Sequence, residues 1–124
     1  MSRILRKTCK IDNTYIEEKL FLVTNDISDN ETSLHFKSLS YITFVINNED
    51  KICHILTVHS NVQGKGYAKM VIRECIKICR EMDIKMIDLD DMSDHFRKPH
   101  NIYKNFGFKY THDTGPEMYL KLQK

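Results

Sequence analysis

The feature that most constrains the fold of this 124-residue chain is a strand, loop and helix unit in its middle. Ile52 to Val58 is apolar and β-branched, which is typical of a buried strand. The segment after it carries apolar residues three and four positions apart, the spacing that places them on one face of a helix. Between the two, Gln63-Gly64-Lys65-Gly66 predicts a tight loop at the helix N-terminus. The apolar helix positions are Ala68, Val71, Cys75, Ile78 and Met82.

The other segments predict an α/β (α+β) sandwich around this unit. Tyr41 to Ile46 would pair with Ile52 to Val58 as an antiparallel hairpin, because Asn47 to Asp50 supplies turn residues. The remaining predicted elements are a strand at Ile4 to Ile11, a helix at Thr14 to Thr24, a loop at Asn25 to Thr32, a strand at Leu34 to Lys37, a strand at Ile84 to Asp90, a polar loop at Asp91 to Pro99, a short helix at His100 to Asn105 ending at Gly107, and strands at Phe108 to Tyr110 and Met118 to Leu122.

Composition narrows the class of protein. With 124 residues, 41% apolar and 29% charged, we expect residues 1–124 to form one globular domain with one core. No apolar run is long enough to cross a bilayer and no signal peptide is visible, so we expect an intracellular (cytoplasmic) protein without a membrane partner. The net charge of +2 gives no indication of nucleic-acid binding.

Cysteines and histidines predict no metal site. The four cysteines contain no CxxC pair, and the six histidines contain no HExxH arrangement. Cys75 and Cys79 share the apolar face of the predicted helix, and we expect them to be small core residues in a reducing compartment.

Three kinds of phosphate-binding loop are compatible with a glycine-containing turn before a helix. A P-loop needs four residues between its first glycine and a Gly-Lys-Ser/Thr group, which the sequence lacks. A dinucleotide-binding fingerprint needs glycine or alanine where Lys69 stands, and a parallel strand rather than a hairpin strand before it. A third pattern, Gln/Arg-x-x-Gly-x-Gly/Ala, fits with Gln63, Gly66 and Ala68 in its fixed positions.

That third pattern is similar to the coenzyme A loop of the GCN5-related N-acetyltransferases, the GNAT superfamily. A second segment, Tyr103-Lys104-Asn105-Phe106-Gly107-Phe108, resembles the Tyr-x-x-x-Gly-Phe segment of the same superfamily. The two motifs occur in the right order, and the resemblance covers about Tyr41 to Leu122. It implies a GNAT-like, mostly antiparallel sheet with a splayed central strand pair and flanking helices.

The resemblance also implies the binding mode of the cofactor acetyl-CoA. Backbone groups of Leu56, Thr57 and Val58 would pair with the acetyl carbonyl and the pantetheine amides. Tyr103 would donate a proton to the leaving thiolate. The pyrophosphate would lie on the backbone amides of Gln63, Gly64, Lys65, Gly66, Tyr67 and Ala68, with positive charge added by Lys69.

Two positions depart from the family pattern. Phe96 stands where the family often has a coenzyme A-binding asparagine, and Ile52 stands where some members carry a glutamate base. The base must therefore come from elsewhere, and we predict Asp90. The nearby acids Asp88, Asp91 and Asp94 would bind a cationic acceptor.

The leading functional hypothesis is acetyl transfer to a primary amine of a small cationic acceptor, such as a di- or polyamine. The chain's size and acidity resemble compact viral-type polyamine acetyltransferases. Two alternatives remain: a protein or peptide acetyltransferase, which an open groove would favour over a closed tunnel, and a non-catalytic coenzyme A-binding module.

Val62 to Arg80 holds five bases and one acid, and we expect it to face the phosphates. Glu81 to Asp94 holds six acids and one lysine, and we expect it to face the acceptor. The chain would be a monomer or a homodimer.

Overall fold

The computed structural model describes residues 2–24 and 29–122 and is built on a seven-stranded sheet in the order β1-β2-β3-β4-β5-β7-β6. Within these ranges β4 and β5 form the one parallel pair, and the other neighbouring strands are antiparallel. The mixed, mostly antiparallel sheet is thus confirmed. The strands are β1 (Ser2–Lys10), β2 (Tyr15–Thr24), β3 (Ser40–Asn47), β4 (Ile52–Ser60), β5 (Met86–Asp90), β6 (Lys109–Tyr110) and β7 (Glu117–Lys121), and the helices are α1 (Glu31–Lys37), α2 (Tyr67–Glu81) and a 3₁₀ turn at Lys104–Phe106.

Helix α2 forms the main core by packing on one face of the sheet. Its buried side chains are Val71, Ile72, Cys75, Ile76, Ile78 and Cys79. They meet β2, β3 and β4 in a cluster that includes Leu20, Phe44 and Ile55. The helical spacing in the sequence predicts this face correctly, although Ala68 and Met82 at its two ends are only partly buried.

Strand β2 occupies the segment for which the sequence predicts a helix at Thr14 to Thr24, so that prediction is wrong. Ile16 and Leu20 are four residues apart, a spacing that fits one face of a helix and equally alternate positions of a strand. β2 pairs with β1 and β3, and its run Leu20 to Val23 is buried on both faces of the sheet. A strand buried on both faces has a continuous apolar run rather than an alternating one.

Helix α1 replaces the strand predicted at Leu34 to Lys37, which is also wrong. Asn30 caps the helix by accepting a hydrogen bond from the Ser33 N–H, and Leu34 packs against Phe21 and Val23. Of the loop predicted at Asn25 to Thr32, residues 25–28 lie outside the described residues, and the helix already begins at Glu31.

The remaining predicted elements are present with shifted ends. The hairpin of β3 and β4 is confirmed, and so are the strands predicted near Ile4, Ile84, Phe108 and Met118. The short helix predicted at His100 to Asn105 is a single 3₁₀ turn that ends at Gly107, where φ is +98°. None of the helices in the described part of the chain is long and apolar enough to span a membrane.

Candidate active site

Strands β4 and β5 separate halfway along β4 and open a cavity between them. They pair in parallel from Ile52 with Met86 to Ile55 with Leu89, whereas the rest of β4 pairs with β3 alone. The cavity has a volume of about 200 Å³. The separation leaves one edge of β4 without a strand partner, so its backbone groups there are available to a ligand. The cavity is lined by Ile55, Leu56, Thr57, Val58, Leu89, Asp90, Met92, Ser93 and Tyr103.

A β-bulge lies where the strands begin to separate. Thr43 and Phe44 are consecutive on β3 but pair with Thr57 and Ile55 on β4, so Leu56 is the extra residue. A bulge bends its strand and changes the direction in which the following groups point. The alternation of buried and exposed residues along β4 shifts by one position there, and Leu56 is 59% exposed. The sequence carries no sign of this bulge, because Leu56 simply continues the apolar run.

The cavity continues as a cleft from the strand split to the N-terminus of α2. Val58 and Tyr103 also line a second space of about 380 Å³, and Ser60 and Gln63 connect this to a third of about 280 Å³. We call the three together the β4–α2 cleft. The predicted loop residues Gln63, Gly64, Gly66, Tyr67, Ala68 and Lys69 line its third part, and Lys65 is exposed between the two glycines.

The loop owes its conformation to two glycines. Gly64 and Gly66 have φ values of +75° and +76°, a left-handed conformation that other residues rarely adopt. A Cβ at either position would meet no atom within 4 Å, so backbone conformation and not crowding requires glycine. Gly66 is the N-cap of α2 without a side-chain cap, and the first turn has no acid. The N–H groups in the first turn of α2 can therefore bind an anion.

Two histidines that belong to no recognisable sequence motif face this loop. His95 and His100 line the third part of the cleft, and their rings pack edge to face with centroids 4.8 Å apart. They come from the 91–103 segment, which has no regular element in which sequence periodicity could reveal a shared direction.

Tyr103 lies at the junction of the first two parts of the cleft. It is 8% exposed and lines both. Burial, together with the negative charge of Asp91, raises the pKa of Tyr103 to about 12. The hydroxyl therefore keeps its proton at neutral pH and is able to donate it.

A buried hydrogen-bond network holds the backbone of Tyr103. The Asn101 side chain is fully buried, and its Oδ1 accepts the Tyr103 N–H at 2.8 Å. Its Nδ2 donates to Asp91 at 2.6 Å, and the Tyr110 hydroxyl donates to the same carboxylate oxygen at 2.7 Å. Asn101 thus ties the 3₁₀ turn to the end of β5.

The four aspartates predicted to serve the acceptor do not lie together. Asp91 is 2% exposed. Burial alone raises its pKa, but hydrogen bonds from Ser93, Tyr110 and Asn101 outweigh this and hold the pKa below its ordinary value. These bonds occupy its carboxylate, so the structure argues against the predicted acceptor role of Asp91. Asp94 lines the second part of the β4–α2 cleft, away from Asp88.

Asp88 and Asp90 lie on the face of the sheet opposite α2. Asp90 borders the cavity between the strands, and Glu117 of β7 is its partner in the sheet register. Asp88 is hydrogen-bonded to His54 of β4. Burial raises the pKa of Asp88, partly offset by that bond. Neither Glu117 nor His54 is predicted from the sequence to belong to this site.

Cys75 and Cys79 are small core residues, as the sequence predicts. Both are buried with Cys53 beneath α2, and the three sulfur atoms lie within 4.8 Å of one another. Cys9 on β1 is exposed, and all four thiols are free.

Comparisons with known proteins agree with this geometry. A family model described as the acetyltransferase (GNAT) family matches residues 12–108. No curated protein matches the chain in sequence.

Three solved structures illustrate the shared fold. A GNAT-family acetyltransferase from Staphylococcus aureus has a TM-score of 0.60 at 17% identity, with 86% of this chain and 68% of that chain covered. The PaiA N-acetyltransferase of Thermoplasma acidophilum, solved with coenzyme A, has a TM-score of 0.60 at 17% identity, covering 83% and 59%. The N-acetyltransferase PseH of Campylobacter jejuni has a TM-score of 0.61 at 20% identity, covering 90% and 71%.

Proposed function

Because this chain belongs to the GNAT family of acetyltransferases, which use acetyl-CoA, we propose that residues 1–124 act as one domain that acetylates a primary amine of a cationic acceptor. The observation that carries the proposal is the continuous β4–α2 cleft. It joins a helix N-terminus without a side-chain cap to an opening between two strands, with the hydroxyl-bearing Tyr103 beside that opening.

The cofactor would lie along this cleft. Its pyrophosphate would accept hydrogen bonds from the amides of residues 63–68, with Lys69 supplying positive charge at the same end of α2. The pantetheine arm would follow the free edge of β4, and the thioester carbonyl would meet backbone groups at Leu56 to Val58. Backbone N–H groups aimed at a carbonyl oxygen stabilise the negative charge that develops there during acyl transfer.

A further space lies next to the third part of the cleft, between α2 and the 3₁₀ turn. It has a volume of about 600 Å³ and shares Asn105 with the third part of the cleft. Arg73 of α2 stands over the Phe106 ring at 5.9 Å from its centroid. This pair suits the nucleotide end of coenzyme A, because the guanidinium can bind a phosphate and the aromatic ring can contact the flat base.

Tyr103 would serve as the acid of the reaction. A thiolate that leaves the acetyl group needs a proton, and the high pKa of Tyr103 keeps its hydroxyl protonated across the neutral range. Its position at the junction of two parts of the cleft fits the place where the sulfur would lie.

The acceptor would approach from the sheet face opposite α2. Asp88, Asp90 and Glu117 place three carboxylates on this face against two lysines, Lys109 and Lys121, and this excess of acids favours a cationic amine. A di- or polyamine fits these acids, because one ammonium can bind a carboxylate while the other amine reacts.

A second candidate acceptor is the lysine or N-terminal amine of a peptide or protein. The observation that favours it is the openness of this face: Leu56 and Met92 at the rim of the opening are 59% and 85% exposed. Such an apolar, uncovered rim also suits a chain lying across the surface.

The test is to incubate the protein with acetyl-CoA and either putrescine, spermidine or a lysine-containing peptide. Thiol release is followed with time, and the acetylated product is identified by mass spectrometry. Turnover of the polyamines with little turnover of the peptide supports the leading proposal, and the reverse supports the second candidate. Absence of thiol release with every amine would contradict both.

A further inference from the structure

His54 and Asp88 form a hydrogen-bonded pair on the sheet face opposite α2. They are direct neighbours in the parallel register of β4 and β5, and His54 Nδ1 bonds to the Asp88 carboxylate. The next register pair, Ile55 with Leu89, is the last one before the strands separate. The pair therefore lies immediately before the opening in which the thioester is proposed to lie.

The hydrogen bond to Asp88 fixes which nitrogen of His54 is free. An ionised carboxylate accepts hydrogen bonds and donates none, so a neutral imidazole bonded to it through Nδ1 carries its proton on Nδ1. Nε2 is then left with a lone pair. The His54 side chain is 46% exposed, which leaves room for a water molecule or an amine. The carboxylate also stabilises the imidazolium that forms when Nε2 accepts a proton.

The distance from His54 to the opening is short. Residues two positions apart on one strand share a face and are separated by about 7 Å along it. Asp90, two positions beyond Asp88 on that face, borders the cavity. A base at His54 can therefore reach an amine in the opening directly or through one water molecule.

We propose that His54 is the base that removes the proton from the acceptor's ammonium, and that Asp88 is its positioning residue. This inference rests on the proposed acetyl transfer and assigns to His54 the role that the sequence suggests for Asp90. In general an imidazole is a far better base near pH 7 than an exposed carboxylate, because its ordinary pKa lies close to that pH. Asp90 and Glu117 would instead bind the ammonium.

Both acids and bases lie near His54 on its face of the sheet. Its neighbour on β3 in the register is the uncharged Val45. On β2 and on β5 to β7, the charged residues of this face are Glu17, Lys19, Asp88, Asp90, Lys109, Glu117 and Lys121.

The proposed reaction transfers the acetyl group from sulfur to nitrogen and releases one proton. His54 Nε2 takes one proton from the ammonium, and the neutral amine nitrogen forms a bond to the acetyl carbon. The bond between that carbon and sulfur breaks, and the Tyr103 hydroxyl gives its proton to the sulfur. Tyr103 regains a proton from the acylated nitrogen, and His54 releases its proton to solvent. The products are an amide, a thiol and one proton.

The test compares the wild-type protein with His54→Asn, His54→Ala and Asp88→Asn between pH 7 and pH 10, with spermidine and a lysine-containing peptide as amines. His54→Asn is the matched variant, because its amide can still donate to Asp88 while the group at the Nε2 position is lost. Near pH 7 we expect kcat to fall roughly 100-fold in both His54 variants, with the KM for acetyl-CoA unchanged. Asp88→Asn should lower kcat as well, because an amide can donate to Nδ1 and so moves the proton to Nε2.

Two readouts separate a base from a packing residue. The defect should shrink about tenfold per pH unit toward the amine pKa of about 10.4, because the amine then loses its proton without help. Added imidazole should restore part of the activity of His54→Ala. An active wild-type protein whose His54 variants keep full kcat, or lose it equally at pH 7 and pH 10, overturns the assignment and leaves acetyl transfer intact. A wild-type protein that acetylates neither amine overturns the proposed function and this assignment with it.

Discussion

At the scale of single residues, Tyr103 is held by a hydrogen bond to its backbone N–H. Asn101 accepts hydrogen bonds from the N–H groups of Tyr103 and Lys104 and at the same time donates to the buried Asp91. A fully buried side chain with this many partners leaves several unsatisfied groups when it is removed, which costs more than the loss of a single surface hydrogen bond.

Asn101→Ala should therefore be both less stable and less active. We expect the free energy of unfolding to fall by about 2 to 3 kcal/mol, because Asp91 and two N–H groups lose their buried partner. The kcat should fall more than the affinity for acetyl-CoA, since the turn that carries Tyr103 loosens. Urea unfolding and steady-state kinetics measure the two effects. Asn48→Ala, at an exposed turn residue, is the control and should change neither.

Tyr103→Phe should lower the maximal rate by about tenfold or more while leaving acetyl-CoA binding nearly unchanged, because only the proton donor is lost. Stopped assays at saturating amine, with binding followed by calorimetry, measure this. An unchanged kcat would remove Tyr103 from the acid role.

The same variant changes stability at alkaline pH. Burial raises the Tyr103 pKa from 10.0 to about 12, so the unfolded chain loses this proton first. The resulting contribution to stability is full below about pH 10 and is lost as pH rises toward 12, a loss of roughly 2 to 3 kcal/mol. The loss should be absent in Tyr103→Phe. Equal alkaline destabilisation of the two proteins would contradict the burial of this hydroxyl.

Which single residues a sequence can predict depends on how local their roles are. Tyr103 and Gly66 belong to short motifs and are visible in sequence. His54 and Asp88 are 34 positions apart and meet only through the register of two strands. The local density of acids also misleads, because side chains next to each other in a strand point in opposite directions and Asp91 turns into the core.

At the scale of elements, the N-terminus of α2 depends on the left-handed glycine at its cap. An L-residue in that conformation costs about 1 to 2 kcal/mol. Gly66→Ala should lose about that much stability and, in addition, weaken acetyl-CoA binding, because the loop that presents the N–H groups is strained. Gly115→Ala is a matched control: its φ is +92°, its added Cβ also meets no atom within 4 Å, and it lies outside the β4–α2 cleft. Calorimetry should show weaker binding for the first variant only.

The elements that the sequence predicts correctly are those whose signal is local. The hairpin of β3 and β4 has its turn residues, and α2 has a helical period over fifteen residues. The predictions for the segments of β2 and α1 are wrong because a short apolar segment fits both the helical and the strand period. Tertiary pairing then decides which of the two forms. The bulge at Leu56 arises from the register between β3 and β4, which a single strand's sequence does not contain.

At the scale of the whole molecule, the basic segment forms one exposed surface as the sequence suggests, whereas the acidic segment does not. Lys65, Lys69, Arg73, Lys77 and Arg80 are all exposed along one helix and its leading loop, as expected for a phosphate-facing segment. The acidic segment is dispersed, because Asp91 is buried and Asp94 faces the β4–α2 cleft. The proposed acceptor face gains Glu117 from β7 instead.

Thiol reactivity provides a whole-molecule check of this packing. Cys9 is exposed on the edge strand, whereas Cys53, Cys75 and Cys79 are fully buried. A water-soluble thiol reagent should therefore modify one cysteine rapidly in the native protein and all four in denaturant. Rapid modification of a second cysteine, identified by peptide mapping, would contradict the packing of α2 on the sheet.

The central claim is that acetyl-CoA lies in the β4–α2 cleft with its thioester at the strand split. The most direct measurement is an amide-resolved NMR titration with coenzyme A. We expect the largest shift changes on the amides of Leu56 to Val58 and of residues 63–69, with small changes in β1. Changes concentrated on another surface, or none at saturating coenzyme A, would contradict it.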